Sequence, residues 1–167
     1  GVYSGGDAYA MGLKARLLHA GAAQCDTIVL FNPGISDSYC DLTDVKAAVG
    51  SLSYDLIIVL SGMEKTRDIR EGVCQLQEIC HVGGKILVTA RTPHDVSSRV
   101  SLNTYEDIWR YDADSQAELF DRCTVEMSAV DEAYGIVCAL LTRVERAAAS
   151  KSFLFHTRAG KRIEVGD

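Results

Sequence analysis

Three stretches of the chain are continuously apolar over the length of a strand. They are "DTIVLF" (Asp26–Phe31), "YDLIIVL" (Tyr54–Leu60) and "GKILVTA" (Gly84–Ala90). Continuous rather than alternating hydrophobicity predicts strands covered on both faces, as in a parallel sheet. The segments between them carry a helical period instead. "AYAMGLKARLLHAG" sets Met11, Ala15, Leu18 and Ala22 three or four residues apart, with Gly21 as a C-cap. Thr43 is placed to cap a short helix through "DVKAAVGSL". "RDIREGVCQLQEIC" puts Ile69, Val73, Leu76 and Cys80 on one face. Helix and strand thus alternate three times, which predicts an α/β fold with right-handed crossovers.

The second half reads differently. A polar segment after Pro93 leads to a short helix near Ser115–Arg122, capped by Asp112 or Asp114. "CTVEMSAV" and "YGIVCALLTRV" follow as strands, and the short "DEAY" between them makes an antiparallel hairpin. "SFLFHTRAGKRIEV" predicts a further hairpin turning at Arg158–Gly160, with "ERAAAS" before it as a linker or short helix. The expected organisation is an α/β domain over 1–146 and a C-terminal linker and hairpin over 147–167. The overall architecture is a Rossmann-like doubly wound, mostly parallel sheet closed by an antiparallel hairpin.

Composition narrows the function classes. A chain of 167 residues can bury a core of its own. A net charge of −6 argues against a general nucleic-acid binder, which needs clustered Lys and Arg. The one basic cluster is terminal: Lys151, Arg158, Lys161 and Arg162. No apolar run reaches the roughly 18 residues of a membrane span, and no signal peptide opens the chain. The six cysteines form no C-x-x-C pair and read as reduced thiols of a cytoplasmic protein. No metal site is expected.

In an open α/β sheet, ligands bind outside the carboxyl ends of the strands. The residues to read are therefore Asn32-Pro33-Gly34, Ser61-Gly62-Met63-Glu64 and Arg91-Thr92-Pro93-His94, with the turn "SGGD" (Ser4–Asp7) ahead of the first helix. "GGD" alone is as readily an ordinary turn as a cofactor loop.

The combination of "YDLIIVLSGMEKTRD", a helix, "VGGKILVTARTP" and "YEDIWRYDADSQAELF" resembles class I S-adenosylmethionine-dependent methyltransferases. The "DIWRYDADSQAELF" stretch is similar to a "W-R-F/Y-T" segment in one bacterial branch. The resemblance runs from about Ala8 to Val144 and implies a seven-stranded sheet whose last two strands are the hairpin. It also implies S-adenosyl-L-methionine as cofactor. Gly5 and Gly6, with Asp7, would lie under its methionine part. Asn32 stands where the ribose-binding acid would be. Asp41, with Leu42, would meet the adenine, and Ser61, Gly62 and Met63 would flank the sulfonium.

Three features depart from that family's pattern. Only Gly1–Ser4 precede the glycine turn, too few for an ordinary first strand. "GGDAYAMG" replaces G-x-G-x-G. Asn32 replaces a carboxylate that would accept charge-assisted bonds from ribose hydroxyls. Starting at a strand's edge and ending in "EVGD" also fits a piece of a larger protein.

Methyl transfer from a sulfonium is an in-line displacement that asks mainly for alignment and exclusion of water. A hydroxyl acceptor also needs a base, for which His94 is the first candidate against a plain solvated loop histidine. Glu64 reads either as a substrate-orienting group or as a carboxylate at a helix start. Trp109-Arg110-Tyr111 reads as pocket wall or as an anchor of loop to sheet. His19 and His81, near helix C-termini, have a sufficient structural reason there. The expected activity is methyl transfer to a small-molecule, sugar or protein acceptor. The rival is a non-catalytic methyltransferase-like module serving assembly with other domains. A nicotinamide-binding domain, a receiver domain and a P-loop protein each lack their defining residues.

Overall fold

The computed structural model of the chain describes residues 2–3, 7–26, 28–30, 39–93, 108–145, 153–157 and 162–165, with side chains over 12–26, 41–93 and 108–145. Its main sheet has seven strands in the order β3-β2-β1-β4-β5-β8-β7. The first five are parallel: β1 (Val2–Tyr3), β2 (Ile28–Leu30), β3 (Tyr39–Cys40), β4 (Tyr54–Leu60) and β5 (Cys80–Arg91). β7 (Cys123–Asp131) and β8 (Ile136–Arg143) form the expected antiparallel hairpin, and β8 runs antiparallel to β5 from Lys85↔Thr142 to Arg91↔Ile136. The first strand is only two residues long, yet it lies between β2 and β4 at the middle of the parallel half.

One face of the sheet carries the core. Ile57 and Val59 of β4, Ile86, Val88 and Ala90 of β5, and Val137, Ala139 and Leu141 of β8 are buried there. They meet Ile69, Val73, Leu76 and Ile79 of α3 (Ile69–Ile79). Tyr111, Leu119 and Phe120, flanking α4 (Ala113–Glu118), complete the cluster. Asp68 starts α3 by accepting the Glu71 N–H at 3.1 Å. Asp112, one of the two expected caps, starts α4 through a capping box with Ser115.

The opposite face is less covered. Along β5, Gly84, Ile86, Val88 and Ala90 are buried, whereas Lys85, Leu87, Thr89 and Arg91 are half-buried. α1 (Asp7–His19) lies on this second side, where its Leu17 shares a cleft with Leu56 and Ile58. Helices therefore flank both faces, as a doubly wound sheet requires. Lys85 donates to Glu126 and to Thr142 Oγ1, tying β5, β7 and β8 together on this side.

Two local expectations are corrected. The apolar stripe of α1 is not the one through Ala15 and Leu18, which are exposed; Leu13 and Leu17, also four apart, are the less exposed pair. A helix with leucines on adjacent rows offers two stripes, and packing chooses between them. Thr43 does not cap α2 (Val45–Val49): α2 starts after Asp44 without a side-chain cap, and the capping carboxylate belongs to Asp41 one turn earlier. Asp41 Oδ1 accepts the Thr43 N–H at 3.1 Å and opens a 3-10 turn over Leu42–Asp44 that runs into the helix. Gly21 closes α1 with φ +102, as expected of a C-cap.

The C-terminal hairpin is present as β9 (Phe153–Thr157) and β10 (Arg162–Val165). Its expected turn at Arg158–Gly160 lies outside the described residues. β9 pairs with β6 (Trp109–Arg110), making a second, three-stranded sheet in the order β10-β9-β6. No helix among the described residues is long and apolar enough to cross a membrane.

Candidate functional site

The site is built where the chain order reverses. From β1 the chain proceeds to β2 and β3 on one side, while β4 leads to β5 on the other. β1 and β4 are neighbours with Tyr3 opposite Leu60, so both strands end together. This is the switch point of an open α/β sheet, where a crevice opens at the carboxyl edge. α1 starts there at Asp7, and Asp41 and Leu42 follow the end of β3.

The segment leaving β4 has an unusual backbone. Ser61 has φ +58 and Gly62 has φ +115. Glycine adopts such angles freely. Serine does so at a cost on the order of 1–2 kcal/mol, and strain of this kind collects at ligand clamps. The bend is held by specific bonds. Ser61 N–H is shared between the carbonyl and the hydroxyl of Thr89, at 3.3 and 3.2 Å. Glu64, 1% exposed, reaches back with Oε2 to the Gly62 N–H at 2.7 Å. Its Oε1 accepts the Arg91 N–H, also at 2.7 Å. One buried carboxylate thus fastens the ends of β4 and β5 to each other.

A second layer fixes the turn from behind. Trp109 Nε1 donates to Thr66 O at 2.8 Å, and Thr66 Oγ1 donates to Gly62 O at 3.1 Å. Tyr111, fully buried, donates its hydroxyl to Met63 O at 3.1 Å, while its N–H bonds Arg91 O at 2.9 Å. Burial, and then the charge of Glu64, hold the Tyr111 phenol well above its usual pKa, so it stays a donor. The Trp109–Tyr111 stretch is therefore an anchor of loop to sheet.

Of the sequence-predicted residues, Ser61, Gly62 and Met63 stand at the end of β4, and Asp7 begins α1. Met63 and Leu42 are fully buried and belong to the core, so their side chains pack inward. Asp41 spends one carboxylate oxygen on the Thr43 N–H. Gly5, Gly6, Asn32 and His94 lie outside the described residues. Among the described residues no group of three or more His, Cys, Asp or Glu is arranged to hold a metal ion. What the sequence reading missed is the role of Glu64. Its signal was spacing: a carboxylate two residues after a glycine can turn back onto that glycine's N–H.

No family model and no curated protein matches the sequence. Solved structures do match the fold. A chain of the complex between the Haloferax volcanii Trm112 methyltransferase activator and a candidate methyltransferase superposes with a TM-score of 0.60 at 13% identity, over 86% of this chain and 82% of that one. A candidate S-adenosylmethionine-dependent methyltransferase from Listeria monocytogenes gives 0.58 at 9% identity, over 86% and 91%. The chain has the class I methyltransferase fold. A candidate type 11 methyltransferase from Sulfolobus solfataricus, at 0.54 and 15% identity over 89% and 85%, adds a third example. The methyltransferase fold accounts for the antiparallel β8 inserted between β5 and β7, and its carboxyl edge is the one carrying the Ser61–Gly62 bend.

The protonation behaviour of this methyltransferase-fold domain gives a pH prediction. Burial pushes the thiols of Cys80 and Cys123 from 9.0 up to about 11 and about 12. Burial, then the hydrogen bond to Asp26, pushes the Tyr54 phenol from 10.0 to about 12. The unfolded chain loses these protons first, so stability is full below about pH 9 and falls as pH rises toward about 12. Urea midpoints at pH 8 and pH 10.5 will show the decline; equal midpoints would contradict it.

Proposed function

We propose that this chain binds S-adenosyl-L-methionine at the carboxyl edge between β1 and β4 and transfers its methyl group to a small-molecule, sugar or protein acceptor. The observation that carries this reading is the Ser61–Gly62 bend, a strained turn at the switch point clamped by a buried carboxylate. In the proposed site the half-buried Ser61 presents its backbone to the sulfonium, and Gly62 behind it holds the φ +115 turn that keeps a side chain out of the rim. Gly5, Gly6 and Asp7 approach the methionine moiety at the start of α1. Asn32 hydrogen-bonds the ribose hydroxyls. Asp41, fixed in direction by its cap bond, faces the adenine, with Leu42 contributing backbone only because its side chain is packed in the core. The cofactor supplies an activated methyl group. The chain holds the acceptor in line, excludes water, and through His94 takes the proton of a hydroxyl acceptor.

A protein partner belongs within this proposal, since the Haloferax neighbour occurs in a complex with an activator. A second reading, a non-catalytic module in which 147–167 serves assembly, is favoured by Asn32 in place of an acid. Thermal denaturation with cofactor separates the two. A site with a dissociation constant of about 10 μM adds about 2.7 kcal/mol at 1 mM ligand, a rise of about 5–10 °C. An unchanged melting temperature with millimolar S-adenosylmethionine or S-adenosylhomocysteine would favour the module.

A further inference from the structure

The opposite edge of the sheet carries a second constellation of side chains. Ser53 ends the loop before β4, Asp55 is the second residue of β4, and His81 is the second residue of β5. The pairing of these strands passes from Tyr54↔Cys80 directly to Leu56↔Lys85, so 81–84 bulge out opposite Asp55. The bulge is tight. Gly83 has φ +84, and a Cβ at Gly84 would lie 2.9 Å from both Cys80 Sγ and His81 O, and 3.1 Å from Asp55 O. It turns His81 back over the strand beside it. His81 Nε2 lies 2.5 Å from Ser53 Oγ, and its Nδ1 lies 3.0 Å from Asp55 Oδ1. A hydroxyl, an imidazole engaged through both nitrogens and a carboxylate thus stand in the order that activates a serine. The imidazole and the carboxylate are open to solvent, at 53% and 95%.

A cleft of about 330 Å³ lies beside them at the amino ends of the strands. Ser53 is in its wall together with Leu17, Leu52, Leu56 and Ile58. Leu52 and Leu56 are 48% and 42% exposed, so the cleft offers apolar surface next to the hydroxyl.

We propose that Ser53, His81 and Asp55 form an acyl-transfer site for esters with short apolar acyl groups, separate from the cofactor edge. Ser53 Oγ attacks the ester carbonyl while its proton passes to His81 Nε2. The C–O bond to the alcohol then breaks, and the alcohol leaves with that proton. Water, deprotonated by His81, releases the acid and restores the serine. Asp55 is a positioning residue: it holds the imidazole with Nε2 toward the hydroxyl. Because Asp55 is exposed, it acts through orientation more than through its field.

The test uses the whole chain with p-nitrophenyl acetate and butanoate, following phenolate release and mapping the acyl adduct by mass spectrometry. The adduct is expected on Ser53 and not on Ser51, an exposed serine two residues away. Butanoate should exceed acetate about tenfold in kcat/KM, from two further methylenes in the cleft. Ser53→Ala should abolish the adduct, and His81→Gln should slow it about a hundredfold. Asp55→Asn should slow it several-fold, with Asp55→Glu restoring most of the loss. An adduct spread over surface serines, or formed equally fast in His81→Gln, would overturn the proposal. So would phenolate release undiminished in Ser53→Ala, which decides the matter even if His81→Gln fails to fold. The cofactor reading stands or falls independently, since cofactor binding is measured on its own.

Discussion

Glu64→Ala will lower the unfolding free energy by about 2–4 kcal/mol, because the buried N–H of Gly62 loses its acceptor at about 1–3 kcal/mol and the half-buried N–H of Arg91 loses its own at about 1 kcal/mol. The donors are those of Gly62 and Arg91, each 2.7 Å from a carboxylate oxygen, and the side chain between them is 1% exposed. Glu64→Gln keeps one acceptor oxygen but points an amide N–H₂ at the other donor. It should cost about 1–3 kcal/mol. Urea denaturation of the three proteins measures both numbers. The pattern matters as much as the size: if alanine costs no more than glutamine, the carboxylate is not holding both strand ends. The loss should be local as well as global. Amide exchange at Gly62 and Arg91 should speed up in either variant before other β4 and β5 amides respond.

Tyr111→Ala will destabilise the domain by about 3–5 kcal/mol, the usual cost of removing a large buried ring. Tyr111 is fully buried and packs in the cluster formed by the sheet, α3 and the start of α4. Tyr111→Phe keeps the ring and removes the hydroxyl that donates to Met63 O, leaving that acceptor unmet, and should cost about 1 kcal/mol. Tyr111 and Glu64 also support the same turn from two sides, one through Met63 O and one through Gly62 N. Their effects should therefore be non-additive: a double-mutant cycle of Tyr111→Phe with Glu64→Gln should show a coupling of about 0.5–3 kcal/mol. A coupling near zero would mean the turn is held by two independent devices.

The sheet was legible in the sequence because its signal is strong and local. Leu56 to Leu60 and Ile86 to Ala90 are strand-length apolar runs rich in β-branched residues between polar breaks, and Asp112 with Ser115 announces a helix start. The hairpin of β7 and β8 was legible from a four-residue connection. α1 was harder, because its leucines support two stripes and only the tertiary fold, which turns Leu17 into the cleft beside β4, selects it over Leu18. The cap at Asp41 instead of Thr43 is a shift of two residues, the kind that a 3-10 turn ahead of a helix produces. The rim was legible as a place but not as a mechanism. Ser61, Gly62 and Glu64 were singled out as the strand end, yet the reach of Glu64 to Arg91 spans 27 residues and no local pattern records it. The same holds for Trp109 and Thr66, and for Ser53 with His81. Contacts between strand ends depend on register, which the sequence fixes only through the whole fold.

The carboxyl edge between β1 and β4 is proposed to take an adenosyl group. The most direct measurement is a calorimetric titration of the domain with S-adenosylhomocysteine, alongside Gly62→Val. One site of micromolar affinity is expected in the native chain and at least tenfold weaker binding in the variant, because valine does not hold the φ +115 bend. Absence of binding heat at millimolar ligand, with no change in melting temperature, would contradict it. Equal affinity in the folded variant would place any bound cofactor elsewhere.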